Sequence, residues 1–222
     1  SHSHVVDVFL SFLDILNIEK NNFIYKWNVP EKITKRILFE KFLGLKEKYF
    51  VLSPCSRSSN RNWIINRYAE VADYITDKFG LQCVFSSSSS SYEKNFVNEI
   101  MSQMKSKPLN LSGSTDIHDL LSLIKNSEFL ISPDSGPIHL ATCVNKPVIG
   151  LYGVTNTVRA GPYNSRELCV DKYNIALSNF TGKNPSEAKW RYKNNNKAVM
   201  SLISTKEVIE KIDKYFSERR IS

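Results

Sequence analysis

From Lys48 to Gly153, short apolar runs alternate with longer stretches in which apolar residues recur every three or four positions. No other feature restricts the fold as tightly. A strand buried on both faces reads as a continuous apolar run, whereas an amphipathic helix reads with a period near 3.6. The runs KYFVLSP (48–54), LQCVFS (81–86), KPLNLSG (107–113), EFLIS (128–132) and KPVIGLYG (146–153) are therefore strands. Helices fall between them at 67–80, closed by Gly80, at 92–105, at 116–127, and from Gly136 to about Val144. Asp116 and Asp119 suit the positive end of the third of these helices. Strands joined through helices of this length predict an α/β fold, a Rossmann-like parallel sheet with helices on both faces. Ligands of such sheets bind beyond the carboxyl ends of the strands.

Outside this core, residues 5–18 carry apolar side chains on a helical period, and residues 19–47 read as a polar connector containing Pro30 and a short helix around Glu31 to Leu43. From Tyr163 the chain is a polar tail that ends in one more helix, where Ser204 and Glu207 are spaced as a capping box. The expected division is thus 1–47, a connector; 48–165, the Rossmann-like domain; and 166–222, a tail whose helix packs back. The opening SHSH reads as a cloning remnant or as the interior of a longer chain.

Composition narrows the function classes. No apolar run approaches the roughly 20 residues that span a bilayer, and no charged-then-apolar leader opens the chain, so a soluble, cytoplasmic protein is expected. Cys55, Cys83, Cys143 and Cys169 are far apart and read as reduced, buried thiols. Neither a metal nor a cofactor is called for. The net charge of +8 points to an anionic partner, but zinc-finger, RNP-type and base-reading helix patterns are absent, which argues against nucleic acid. The basic surface is compatible with work beside anionic lipid headgroups at the inner face of a membrane.

Four loops at strand ends hold the candidate chemistry. In FLISPDSGPIHLATCV, Asp134, Ser135 and Gly136 occupy the turn before a helix whose first amides lack partners, a place suited to an anion such as a pyrophosphate. His139 follows Ser135 by one helical turn, so both can reach one ligand. The same residues also read as two ordinary caps and a core histidine. After the first strand, SPCSRSSNRNW offers Arg57 and Arg61 to a phosphate, with Trp63 as a core anchor. Ser86 to Ser91 read either as a flexible linker or as a backbone-exposing turn with hydroxyls for a phosphate or sugar, and Glu93 either as an acceptor for sugar hydroxyls or as a first-turn acid. Thr155, Arg159 and the Gly161-Pro162 turn form the fourth loop.

In combination, SPDSGPIHLATCVNKPVIGLYG with the later GPY, and the loop SRSSNRNW, resemble the carboxyl-terminal, donor-binding half of glycosyltransferase family 9, the ADP-heptose:lipopolysaccharide heptosyltransferases. The resemblance covers about Tyr49 to Tyr163, extends through ISTKEVIEKI, and carries the family segment D-[ST]-G-x-x-H-x-A. It implies one half of a GT-B architecture and an inverting transfer of heptose from ADP-heptose to a lipopolysaccharide inner-core sugar. It places Asp134, Ser135, Gly136 and His139 on the pyrophosphate and sugar, Ser56 and Arg61 on the phosphates, and Glu93 near the nucleoside. Arg61 stands where many members carry Lys, and the serine run where many carry a Gly-rich turn. The family's catalytic base belongs to an acceptor domain represented here only by the helix at 4–18, so no residue of this chain takes that role. A nucleotide-sugar-binding fragment without transferase activity, or a transferase for another nucleotide sugar, fits the same residues.

Overall fold

The computed structural model describes residues 3–19 and 35–221. Its strands lie where the apolar runs predict them: β1 (Tyr49–Leu52), β2 (Gln82–Phe85), β3 (Leu109–Asn110), β4 (Leu130–Pro133) and β5 (Val148–Tyr152). All pair in parallel, and a sixth strand, β6 (Val170–Asp171), extends the sheet to the order β3-β2-β1-β4-β5-β6. Alternate residues of β1, β2, β4 and β5 enter two separate cores. Phe50, Leu52, Phe85, Ile131 and Leu151 face one core with α3 (Ile65–Phe79), α4 (Ser91–Gln103) and α9 (Thr205–Ile221). Tyr49, Val51, Val84, Leu130 and Val148 face the other, with α2 (Lys35–Lys41), α5 (Ile117–Asn126) and α6 (Gly136–Cys143). This is the doubly covered parallel sheet that the alternation predicts.

The helix ends follow from local chemistry. Gly80 closes α3 at φ +67°, a left-handed conformation that favours glycine. Asp116 and Asp119 form a reciprocal capping box at α5, and Ser204 with Glu207 forms one at α9. Within β5, a Cβ on Gly150 would meet Cys169 Sγ at 2.6 Å and the Tyr152 ring at 2.8 Å, so the strand lacks a side chain there because its neighbours occupy the space.

The tail departs from the expectation of a polar stretch with a single helix. It supplies β6 and, after the short helix α7 (Thr157–Ala160), a further helix α8 (Tyr173–Thr181) before α9. β6, like β3, is only two residues long, one less exposed than the other, but it lies beyond the strand-helix alternation from which β3 is read. Its pairing with Leu151 and Tyr152 comes from the neighbouring strand. In the connector, α2 occupies part of the expected Glu31–Leu43 helix, while Pro30 and residues up to 34 lie outside the described ones.

Helix α1 (Val5–Ile15) is held at its start by three contacts. The His4 ring accepts from the Val6 amide through Nδ1 at 3.2 Å, which leaves Nε2 protonated to donate to the Gly161 carbonyl at 3.0 Å. The Tyr163 hydroxyl donates to Asp7 at 2.7 Å, and the Trp190 indole to the Ser3 carbonyl at 3.0 Å. Further along, Phe9, Phe12, Ile15 and Leu16 are exposed.

Burial lowers the His4 pKa below its ordinary value of 6.5, against the opposing bond to Gly161; Asp7 raises it, while Arg166 and His139 lower it. Neutral His4 is the bonded form, so its contribution is complete above pH 6.5 and is lost as pH falls through the lowered value. The protection factors of the α1 amides, which correct for the intrinsic slowing of exchange in acid, should therefore fall on acidification below 6.5, and His4→Ala should abolish the dependence. Identical pH profiles for the two proteins would contradict this.

Candidate functional site

The strand order reverses direction between β1 and β4, and the helices that follow these strands, α3 and α6, lie on opposite faces. The loops leaving β1 and β4 therefore diverge and leave a crevice at the carboxyl edge. A cleft of about 310 Å³ opens there. The loop after β1 contributes Ser53, Cys55, Ser56 and Arg57, and the loop after β4 contributes Ser135, Gly136 and Pro137. Ser86 to Ser88, Glu93, Thr115 and Asp116 close the side toward β2 and β3.

One lip is the amino end of α6. Neither acidic nor hydroxyl side chain caps it. Ser135 holds the N-cap position but makes no side-chain cap, and its hydroxyl pairs with Ser132 Oγ at 2.7 Å. Ser132 in turn donates to the Ser53 carbonyl at 2.8 Å. Asp134 turns inward. Its carboxylate accepts from Thr155 Oγ1 at 2.8 Å and pairs with Arg61 Nη1 at 3.0 Å. Gly136 is exposed, and a Cβ built on it would meet nothing within 4 Å. Protein packing thus does not require glycine here. The first turn of α6 presents bare backbone to the cleft, the arrangement that suits an anion.

The loop after β1 is tied to this turn. Ser56 Oγ and Arg61 Nη1 both donate to the Asp134 carbonyl, at 2.8 and 3.1 Å. Ser56 also receives support through its amide, which donates to Asn62 Oδ1 at 2.8 Å, and the Tyr68 hydroxyl donates to the Pro54 carbonyl at 3.1 Å. The Arg61 guanidinium is thereby neutralised by Asp134, whereas Arg57 is exposed and lines the cleft as a cation. Burial pushes the Cys55 thiol up to about 12, with the Glu93 charge adding to it, so it is a protonated wall rather than a nucleophile. Trp63 is a core anchor, its indole donating to the Ile203 carbonyl at 3.0 Å.

The serine run is an ordered turn and not a linker. The Ser86 amide extends the ladder to the Leu52 carbonyl, Glu93 accepts from the Ser88 amide at 2.7 Å, and Ser90 caps α4. Glu93 and Asp116, two carboxylates on the same side of the cleft, offer acceptors for a diol. From the sequence, Asp116 reads only as an acid suited to the positive end of its helix. It reaches the cleft because β3 brings the α5 start beside the serine turn.

Not every expected residue converges. His139 is exposed, neither in the core nor in the main cleft, and lines a smaller pocket of about 230 Å³ with His4, Phe9, Thr142 and Tyr163. Ser135 and His139 thus face different depressions. Thr155 is buried behind Asp134, Arg159 lies over the Trp190 ring at 4.8 Å, and Gly161 accepts from His4. Among the described residues, no group of three His, Cys, Asp or Glu side chains could hold a metal ion, and no helix is long and apolar enough to cross a membrane.

An open parallel sheet with its loops gathered at a reversal of strand order defines a Rossmann-like α/β domain of the kind that takes ligands at its carboxyl edge. The family model of glycosyltransferase family 9 (heptosyltransferase) matches residues 3–190, and the chain belongs to that family. Among its relatives, the lipopolysaccharide core heptosyltransferase OpsX of Haemophilus influenzae is 33% identical over 211 residues, covering 95% of this chain and 60% of that protein. Lipopolysaccharide heptosyltransferase 3 of Escherichia coli is 28% identical over 97% of this chain and 60% of that protein. The chain thus spans about 60% of the length of these relatives. The fold matches the structure of a family 9 glycosyl transferase from Veillonella parvula with a TM-score of 0.73, at 20% identity over 98% of this chain and 61% of that one. It also matches E. coli heptosyltransferase WaaC with ADP at 0.63, with 15% identity over 96% and 57%.

The Arg61–Asp134 pair is largely enclosed, with side chains 17% and 11% exposed. Removing one partner strands the other charge. Arg61→Ala should cost about 3 kcal/mol of stability in urea denaturation, and adding Asp134→Asn to that variant should recover part of the loss. Equal destabilisation by the single and double variants would show that the pair is not the source.

Proposed function

We propose that this chain is the donor-binding part of a heptosyltransferase of lipopolysaccharide core assembly, holding ADP-heptose in the cleft between the β1 and β4 loops. The observation that carries the proposal is the uncapped start of α6, where Gly136 faces open space beside Arg57. In an inverting transfer, negative charge grows on the departing diphosphate. Amides at a helix amino end and a nearby guanidinium are suited to stabilise it. Ser56, Arg61 and Asp134 then act by holding the two lips together, and Arg57 meets the phosphates. Glu93 and Asp116 accept from the ribose hydroxyls, and Ser135 borders the diphosphate. His139 lies one pocket away, on the side where the sugar and the acceptor would enter.

The names of the relatives support heptose as the sugar, and the solved WaaC complex supports ADP as the nucleotide. Residues 1–47 then form the end of an acceptor domain and the connector, 48–165 the nucleotide-sugar domain, and 166–222 the tail whose helix α9 packs back on α3. The acceptor domain supplies the base that deprotonates the acceptor hydroxyl, and the reaction takes place in the cytoplasm, at the inner face of the inner membrane. That the chain spans about 60% of its relatives favours a second reading, in which it binds the nucleotide sugar but does not transfer it unaided.

Calorimetric titration with ADP, UDP and GDP tests the proposal. Selective ADP binding is expected. Arg57→Ala should weaken it about ten- to a hundredfold, the worth of one charge-assisted bond. Gly136→Ala should weaken it while leaving the melting temperature unchanged, because the new methyl meets no protein atom within 4 Å. Binding of ADP unaltered in both variants would place the nucleotide elsewhere. Turnover of ADP-heptose by the isolated chain with a core acceptor would exclude the binding-only reading.

A further inference from the structure

Residues 182–197, GKNPSEAKWRYKNNNK, carry five basic residues against one acid, a net +4 of the chain's +8. Lys183, Lys189, Arg191, Lys193 and Lys197 are all exposed, and none forms an ion pair with a carboxylate among the described residues. Where two of them touch anything by their charge, it is an aromatic ring: Lys183 lies over Tyr192 at 4.4 Å and Arg191 over Trp190 at 5.7 Å.

Such a segment would ordinarily be a solvated loop. This one is fastened at several points. The Asn194 amide donates to the Val154 carbonyl at 3.0 Å, just past the end of β5, and its buried side chain donates to the Ala176 carbonyl at 2.8 Å. The Tyr173 hydroxyl donates to the Tyr192 carbonyl at 3.0 Å. Asn60, in the turn that precedes Arg61, donates to Asn195 at 3.2 Å. Arg159 stacks on Trp190, whose indole reaches Ser3. The segment is thus a strap along the carboxyl edge of the sheet, running from the start of α1 to the β1 loop of the cleft. The family model ends at residue 190, inside it.

We infer that this strap recognises the phosphate groups on the headgroup of the glycolipid acceptor. The inference rests on the donor-site reading above, because it is the position of the strap at the rim of that site that makes an acceptor its partner. A row of cations without a carboxylate partner among the described residues, fastened beside the place where the sugar would be transferred, attracts a polyanion and orients it at the rim. Lysines suit this task as point charges for groups of variable geometry, while the stacked arginines stiffen the strap.

The test compares the wild-type chain with a triple variant, Lys189→Glu, Lys193→Glu and Lys197→Glu, after thermal melting confirms that the variant folds. Trp fluorescence follows binding to detergent micelles of a phosphorylated inner-core lipopolysaccharide, to the same glycolipid after chemical dephosphorylation, and to phosphatidylglycerol vesicles. ADP binding is measured in parallel. The expected result is salt-sensitive binding to the phosphorylated glycolipid, at least about tenfold weaker in the variant, with ADP affinity unchanged. Equal affinity of both proteins for the phosphorylated glycolipid, or no loss on dephosphorylation, would overturn the inference. Equally tight binding to phosphatidylglycerol would also overturn it, by assigning the strap to bulk lipid. Glycolipid binding without any ADP binding by the wild type would instead refute the donor-site reading and leave anion recognition by the strap standing.

Discussion

The carboxyl edge of this sheet depends on one backbone carbonyl. The Asp134 oxygen accepts from both Ser56 and Arg61, so two side chains of the β1 loop close on the β4 turn at a single atom. The carboxylate of the same residue binds the Arg61 guanidinium from the other side and takes a further bond from Thr155 beyond β5. Three loops that would otherwise diverge, because their helices leave to opposite faces, are thereby kept in register. The direction of Ser135 and the bare start of α6 follow from that tie: with Asp134 drawn inward and Ser135 bonded to Ser132, neither remains to cap the helix.

This explains why the fold was legible in the sequence and the site only in part. The strands β1, β2, β4 and β5 are apolar runs buried almost throughout, and most of the helices carry a period or a cap, so local composition determines both. β6 was not legible because it lies past the strand-helix alternation that marks even the two-residue β3, and its pairing is supplied by β5. In the DSG turn the residues at the edge were recognisable by type, but their orientation was not. Whether Asp134 caps, binds a ligand or pairs with Arg61 is decided by a side chain 73 positions earlier in the chain. His139 shows the same limit. One helical turn from Ser135 is enough for shared reach along an ideal helix, yet the two residues open onto separate depressions, because the β5 loop and α1 stand against one side of α6.

The serine run shows how low complexity can mislead in the opposite direction. Six identical small residues suggest slack chain, yet the first continues a strand ladder, the third donates its amide to Glu93, and the fifth caps a helix. Each of these tasks asks only for a short hydroxyl or an unobstructed amide, so one residue type satisfies them all. Uniform composition here reflects several compatible local demands in succession and does not imply absence of structure.

Gly150 and Cys169 carry a consequence for the history of the chain. The thiol of one fills the space that a methyl on the other would need, at a separation no two such atoms tolerate. Position 150 cannot drift independently: a side chain there is admissible only after the Cys169 thiol has been replaced by something smaller and the Tyr152 ring has moved aside. Lineages of this fold should therefore cross between the two solutions through an intermediate that leaves a small void, a step far milder than the reverse order, which passes through a clash.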